Sequence, residues 1–278
     1  MTAKQDISIP LEPGEAYHIY NRGNNKQVIF YNDGNYAYFL DKYRAYMKDY
    51  WDTLAWALME NHFHLVVRVR TEEEIMSSAI RDFTKVDKSF YHKHKDLIEE
   101  AIKKDQISDD GQLSDVLRSD KKSLDMGSGL GSDLPGFGNL VNIAQLHHPL
   151  LLKKLMIWAV SERFRRFKLG YAKAINKQQD RTGSLFQKIF KRKRLLYTED
   201  VEHAICYVHH NPIHHIYTIT YDQYRWSSYN QYISKNADYT KYVEGLFGSH
   251  DLMMATHDSY KKYKKESNYN ISHDIDNL

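Results

Sequence analysis

The chain has 278 residues, 42% of them hydrophobic and 27% charged, with 39 Lys and Arg against 36 Asp and Glu and a single cysteine, Cys206. This composition excludes an internal disulfide, a Cys-rich zinc site and a charge-dominated disordered chain, and it fits a globular protein of a reducing compartment. No apolar run approaches the ~20 residues that span a bilayer. Met1 to Gly14 lacks an apolar signal core, so a cytoplasmic protein with no membrane partner is expected.

Taken in order, Ala16 to Arg22 alternates between Gly14 and Gly23 and predicts a strand. Tyr36, Phe39, Leu40, Tyr43, Met47 and Tyr50 follow helical spacing behind the start signals Asn32 and Asp33. Thr53 to Met59 predicts a second strand, Glu60-Asn61 a tight turn, and His62 to Arg70 a third strand antiparallel to the second. In the third strand Phe63, Leu65, Val67 and Val69 form an apolar face, whereas His62, His64, Val66, Arg68 and Arg70 form a mostly polar one. A sheet with helices under one face and a charged opposite face fits this pattern. Glu72 to Lys104 reads as helical. Asp105 to Asn139 is polar and Gly/Ser-rich and reads as a mobile loop. Leu151 to Lys177 predicts a long basic helix, and Leu185 to Leu196 a strand. Thr198 is the expected cap of a further helix whose buried stripe is Val201, Ala204, Ile205 and Val208, with Pro212 ending it.

The expected fold class is therefore α+β. A ferredoxin-like βαββαβ core, an antiparallel sheet with helices on one face, carries an appended helix and a helical and flexible insertion. The expected divisions are 15–70 with 150–232 for the core, 71–149 for the insertion and 233–278 for a C-terminal tail.

Charge is uneven. Leu151 to Leu196 holds fourteen Lys and Arg against Glu162 and Asp180, a local excess of twelve that suits a phosphate backbone. Arg163 and Arg166 on the helix, and Lys191 and Arg192 in the following strand, are candidate phosphate contacts. Side chains at i and i+2 of a strand share a face, so His62 and His64 project together and can grip one metal ion. On the helix after Thr198, His203, Tyr207 and Asn211 share a face. Tyr207 is the candidate nucleophile. Asn211 is the natural third ligand to a metal on His62 and His64, with His203 as its rival. A metal-bound phosphate attacked by a phenol is a route to phosphodiester cleavage. Taken singly, each feature has an ordinary reading as packing or solvated surface; their conjunction is what points to chemistry.

Five segments in this order, Tyr17-His18-Ile19-Tyr20-Asn21-Arg22-Gly23, Leu58-Met59-Glu60-Asn61-His62-Phe63-His64-Leu65, Arg181-Thr182-Gly183-Ser184-Leu185-Phe186-Gln187, Tyr207-Val208-His209-His210-Asn211-Pro212 and Trp226-Ser227-Ser228-Tyr229, resemble the single-tyrosine HUH transposases. Their REP-associated tyrosine transposase branch is the most similar. The resemblance implies a transposase that cleaves and rejoins single-stranded or hairpin DNA, with Mg²⁺ or Mn²⁺ on His62 and His64. It implies a covalent 5′-phosphotyrosine at Tyr207, a released 3′-hydroxyl, and Asn211 completing the metal site. It adds Arg22, Arg181 and Gln187 as DNA contacts, and it admits both a monomer and a homodimer. A binding protein for hairpin or single-stranded DNA that keeps the scaffold without catalysis is the alternative, and a nuclease that uses water is a third reading.

Overall fold

A computed structural model of the chain describes residues 9–107, 136–234, 239, 241 and 243–266. The chain folds as two compact units, one of residues 1–69 with 164–278 and the other of residues 70–163.

The first unit is built on four strands, β1 (Ala16–Arg22), β2 (Trp51–Met59), β3 (His62–Val69) and β4 (Lys191–Leu195), in the order β2-β3-β1-β4 with every neighbour antiparallel. This is the expected ferredoxin-like order. β4 is shorter than expected. Residues ahead of Lys191 lie outside the ladder apart from a single bridge between Phe186 and Gly23.

Helix α1 (Asp33–Met47) starts where the sequence signals it, with the Asn32 side chain accepting from the backbone N–H of Asn35 at 3.1 Å. It lies on the Phe63 face of the sheet. There Phe39 meets Phe63 at 5.2 Å and Phe167 at 4.9 Å between ring centroids, and Phe164 meets Trp51 at 5.2 Å. Phe39, Phe63, Phe164 and Phe167 are all fully buried, so this aromatic layer is the main core of the unit.

The opposite face is the one that carries His62, His64 and Val66. It is covered by a helix, numbered α7 below (Thr198–His214), which packs Val201, Ala204, Ile205 and Val208 against Ala55, Ala57, Met59 and Val66. Thr198 is the first helical residue rather than the cap. The Asp200 carboxylate reaches back to accept from the backbone N–H of Leu196 at 3.1 Å and Tyr197 at 3.2 Å. Pro212 does not end the helix, which continues to His214. A proline this close to a helix end removes one hydrogen bond while little helix remains to be disrupted.

From Ala204 to Pro212 every residue of α7 is buried. The sheet covers one side. The other is covered by α8 (Tyr229–Ile233) and a C-terminal helix, α9 (His250–Glu266). His209 and His210 are therefore core residues. A chain of hydrogen bonds fixes their surroundings. His257 Nδ1 is 2.8 Å from the Met253 carbonyl, which can only accept, so this nitrogen carries the proton. His257 Nε2 then accepts from His209 Nδ1 at 2.8 Å. His209 Nε2 accepts in turn from the Ser228 hydroxyl at 2.8 Å, and that hydroxyl oxygen accepts from the backbone N–H of Trp56 at 2.9 Å.

Both imidazoles in this chain are neutral, and burial holds His257 down to about 4 and His209 well below the ordinary histidine value. His257 takes up a proton in the unfolded chain below about pH 6.5 but in the folded chain only near 4. Stability is therefore complete above pH 6.5 and is lost as the pH falls toward 4. The expected loss from His257 alone is about 2 kcal/mol between pH 7 and pH 5. Urea titrations at the two pH values, on the natural chain and on His257→Gln, measure it. Equal pH dependence in both proteins would remove His257 from the account.

The second unit holds α2 (Glu72–Asp82), α3 (Lys88–Lys93), α4 (Lys95–Ile107), α5 (Phe137–His147) and the first part of α6 (Pro149–Gln178). The expected loop within 105–139 lies largely outside the described residues. The core is a ring of aromatic side chains around Trp158, with Phe83 at 4.9 Å, Phe137 at 5.5 Å and Phe90 at 5.8 Å. Asp87 caps α3 by accepting from the Phe90 N–H at 2.8 Å, and its other oxygen accepts from the Trp158 indole at 3.0 Å. Helix α6 begins at Pro149, a position where proline's fixed φ suits a first helical turn. It leaves this unit at Arg163.

Helix α2 opens on a capping box. Glu74 N–H donates to Thr71 Oγ1 at 3.4 Å, and the Glu74 carboxylate accepts from the Thr71 N–H at 2.9 Å. Thr71→Ala removes half of this reciprocal pair and is expected to cost about 1 kcal/mol. An unchanged urea midpoint for that variant would show that the cap contributes nothing in solution.

Candidate active site

β1 and β3 run side by side in a register that pairs His18 with Val66, Tyr20 with His64 and Arg22 with His62. Directly opposed residues share a face, so His18, Tyr20, Arg22, His62 and His64 all project toward α7. β4 pairs Lys191 with Tyr20 and Lys193 with His18, which adds two lysines to that face. The Lys191 ammonium stands 5.8 Å from the centre of the Tyr20 ring.

The rings form a graded stack. His18, Tyr20 and His64 lie nearly parallel, with centroids 5.1–5.6 Å apart. His62 stands perpendicular to His64 at 5.3 Å. From α7, the Tyr207 ring meets His64 edge-on at 5.7 Å and His18 at 5.5 Å. At the other end of the same helical stripe His215 meets His62 at 4.8 Å. Residues 207, 211 and 215 follow one another at i+4 spacing, so Asn211 falls between these two contacts and faces the His62–His64 pair. The structure thus brings Tyr207, Asn211, His62 and His64 together within one chain.

His203 does not join them. It lies one turn earlier, against the Tyr260 ring of α9 at 5.1 Å, where partial desolvation together with Lys264 and Lys193 holds its imidazole below the ordinary value.

Three details orient the ligand-type atoms. Asn61 Nδ2 donates to the Lys26 carbonyl at 3.1 Å, which turns its oxygen toward His62 Nδ1 at 2.7 Å. That oxygen can only accept, so His62 carries its proton on Nδ1 and presents a lone pair at Nε2. His64 Nδ1 is 2.9 Å from His18 Nε2, a buried imidazole–imidazole hydrogen bond. Asn211 Nδ2 donates to the Tyr207 carbonyl at 3.2 Å, while Asn211 Oδ1 is buried with no hydrogen-bond partner. An acceptor left this way is costly unless something else meets it. Two imidazole nitrogens and this amide oxygen make a donor set that suits a divalent cation. Among the described residues no group of three or more His, Cys, Asp or Glu stands in metal-holding geometry.

The turn that carries Asn61 is held by Gly23, whose N–H donates to the Asn61 carbonyl at 2.8 Å. A Cβ at this position would lie 2.0 Å from the Gln27 carbonyl oxygen, so only glycine fits. This explains why Arg22 is followed by glycine beside the histidine pair.

The basic residues separate. Arg22 and Lys191 are on the site face. Gln187 sits beside Arg22, its N–H donating to the Arg22 carbonyl at 2.9 Å. Arg181 is committed to the scaffold, donating to Asn176 Oδ1 at 2.7 Å and Gln27 Oε1 at 2.9 Å. Arg163 belongs to the other unit, where it pairs with Asp82 at 3.4 Å. Arg166 is exposed on α6. Arg192 pairs in register with Ile19, so it points to the opposite face of the sheet from Lys191. His18, Tyr20, Asn61 and Lys193 were not singled out from the sequence as site residues. For His18 and Tyr20 the available signal was parity, since both alternate with Arg22 along β1.

Among the described residues no helix is long and apolar enough to cross a membrane. No protein-family model matches the sequence, and no curated protein matches it. Among solved structures the chain is similar to a REP-associated tyrosine transposase bound to a REP hairpin, with a TM-score of 0.44 and 11% identity, covering 84% of this chain and 87% of that one.

Proposed function

We propose that this chain is a DNA strand-transfer enzyme that cleaves and rejoins single-stranded DNA through a covalent link to Tyr207. The observation that carries the reading is the meeting of Tyr207 with His64 at 5.7 Å on one chain, with Asn211 on the same helix stripe facing the histidine pair.

Nε2 of His62, Nε2 of His64 and Oδ1 of Asn211 would hold a Mg²⁺ or Mn²⁺ ion, which when bound supplies positive charge against the non-bridging oxygens of a scissile phosphate. Asn61 and His18 are positioning residues in this scheme. Asn61 fixes the His62 tautomer. His64 must keep a lone pair on Nε2, so its Nδ1 donates to His18 Nε2, and His18 carries its own proton on Nδ1. Tyr207 forms the new bond from its phenol oxygen to phosphorus and gives up its proton. The bond from phosphorus to the 3′-oxygen breaks, and that oxygen takes up a proton. The strand end left behind is a 3′-hydroxyl, and its attack on the phosphotyrosine restores the DNA with no outside energy source. Arg22, Lys191 and Lys193 line the same face and would hold flanking phosphates.

One observation favours the non-catalytic alternative. The Tyr207 hydroxyl is buried, so a phosphate reaches it only if neighbouring side chains shift. A single assay separates the readings. The protein is incubated with a single-stranded oligonucleotide carrying a hairpin, with Mn²⁺, and the products are resolved under denaturing conditions. A protein–DNA adduct that survives denaturation supports strand transfer, binding without cleavage supports the alternative, and cleavage with no adduct supports hydrolysis by water.

A further inference from the structure

The side of the sheet away from Tyr207 carries a charge arrangement that the reaction above does not use. Lys168 of α6 is only 8% exposed. Its ammonium stands 4.6 Å from the centre of the Phe190 ring and 5.5 Å from that of Phe164. Arg192 of β4 places its guanidinium carbon 4.9 Å from the same Phe190 ring. Its Nε is buried and makes no hydrogen bond. Among the described residues neither cation has a carboxylate partner.

The neighbourhood deepens the contrast. Arg194, two residues along the same strand and on the same face, holds Glu15 at 2.6 Å and Glu12 at 4.0 Å. Burial, then the positive charges of Arg192 and Arg165, hold the Lys168 ammonium down to about 8. Burying two like charges side by side disfavours the folded state, and contact with an aromatic face offsets only part of that cost. An arrangement of this kind gains most from an anion, which repays both desolvations at once.

We propose that Lys168 and Arg192, flanking Phe190, form a phosphate-binding site on the α6 side of the sheet, and that its ligand is a phosphodiester of the DNA outside the cleavage centre. The phosphate chemistry follows from the two cations alone, whereas DNA as its source rests on the function proposed above.

The test uses the full chain and its Lys168→Met variant, without metal so that no cleavage intervenes. Three quantities are measured: the thermal midpoint, the affinity for a single-stranded hairpin oligonucleotide over a range of salt, and the shift of the thermal midpoint by inorganic phosphate. Removal of a buried unpaired charge is expected to raise the midpoint by several degrees, while DNA affinity falls about tenfold and the salt slope drops by about one. Arg192→Gln is expected to show the same loss of affinity, and it provides the test should Lys168→Met fail to fold. If inorganic phosphate stabilises the natural chain but not the variant while DNA affinity is equal in both, the site stands and its ligand is a free phosphate. If the natural chain binds no DNA at all, the function proposed above fails and the phosphate shift alone decides the site. A variant that matches the natural chain in both DNA and phosphate binding overturns the proposal.

Discussion

Tyr207→Phe is expected to abolish the denaturation-resistant adduct and to lower strand cleavage by about a thousandfold or more. The substitution removes one oxygen. The ring that packs edge-on against His18 and His64 stays, and so do the burial of α7 and the hydrogen bond from Asn211 to the backbone carbonyl of residue 207. Folding and DNA binding should therefore persist, so loss of the adduct reports on chemistry and not on structure. Quantifying adduct on a denaturing gel, with DNA affinity of the same preparation measured in parallel, makes the comparison. Cleavage that continues at the natural rate in the variant would assign the reaction to water.

His62→Ala is expected to lower cleavage by about 10²–10³-fold while DNA affinity stays largely unchanged. The two effects separate because the groups are different. Asn61 holds the imidazole, which is a metal ligand in the proposed scheme, whereas that scheme assigns phosphate contact to Arg22, Lys191 and Lys193 on the same face. The His62 site lies at the end of β3 beside the Glu60-Asn61 turn, and its neighbour Asn61 keeps its bond to the Lys26 carbonyl when the ring is removed. The fold should survive the change. Cleavage rates over a Mn²⁺ titration give a second readout, since a lost ligand shifts the ion requirement to higher concentration. An unaltered rate and an unaltered Mn²⁺ response would dismiss His62 as a ligand.

The two variants also test different halves of one geometry. Tyr207 comes from a helix and the histidines come from a strand, and nothing in the local structure of either requires them to meet. They meet because α7 covers the polar face of the sheet, driven by the apolar stripe that ends in Val208.

The first three strands and the start of α1 were legible in the sequence because each is set locally, by side-chain parity, by turn residues and by a capping side chain. The same local rules put His62 beside His64 and Tyr207 beside Asn211. Where the sequence reading departed from the structure, some causes were local and others lay in partners distant in the chain. Thr198 looked like a cap, but Asp200 took that role because its carboxylate could reach two backbone N–H groups ahead of the helix. His209 and His210 are buried because α9, remote in the chain, covers them. Arg163 looked available for phosphate, yet Asp82 neutralises it. Lys191 and Arg192 counted as one basic cluster, but a two-residue strand period sends them to opposite faces.

The sequence by itself determined which side chains share a face of each element, because helical and strand periods are properties of the backbone. Only the tertiary structure decided which faces meet. That choice fixed His18 against His64, gave Asn211 rather than His203 the place beside the histidine pair, and left Lys168 and Arg192 together with no carboxylate partner among the described residues, since contacts between remote segments depend on how the whole apolar surface is buried and not on any local rule.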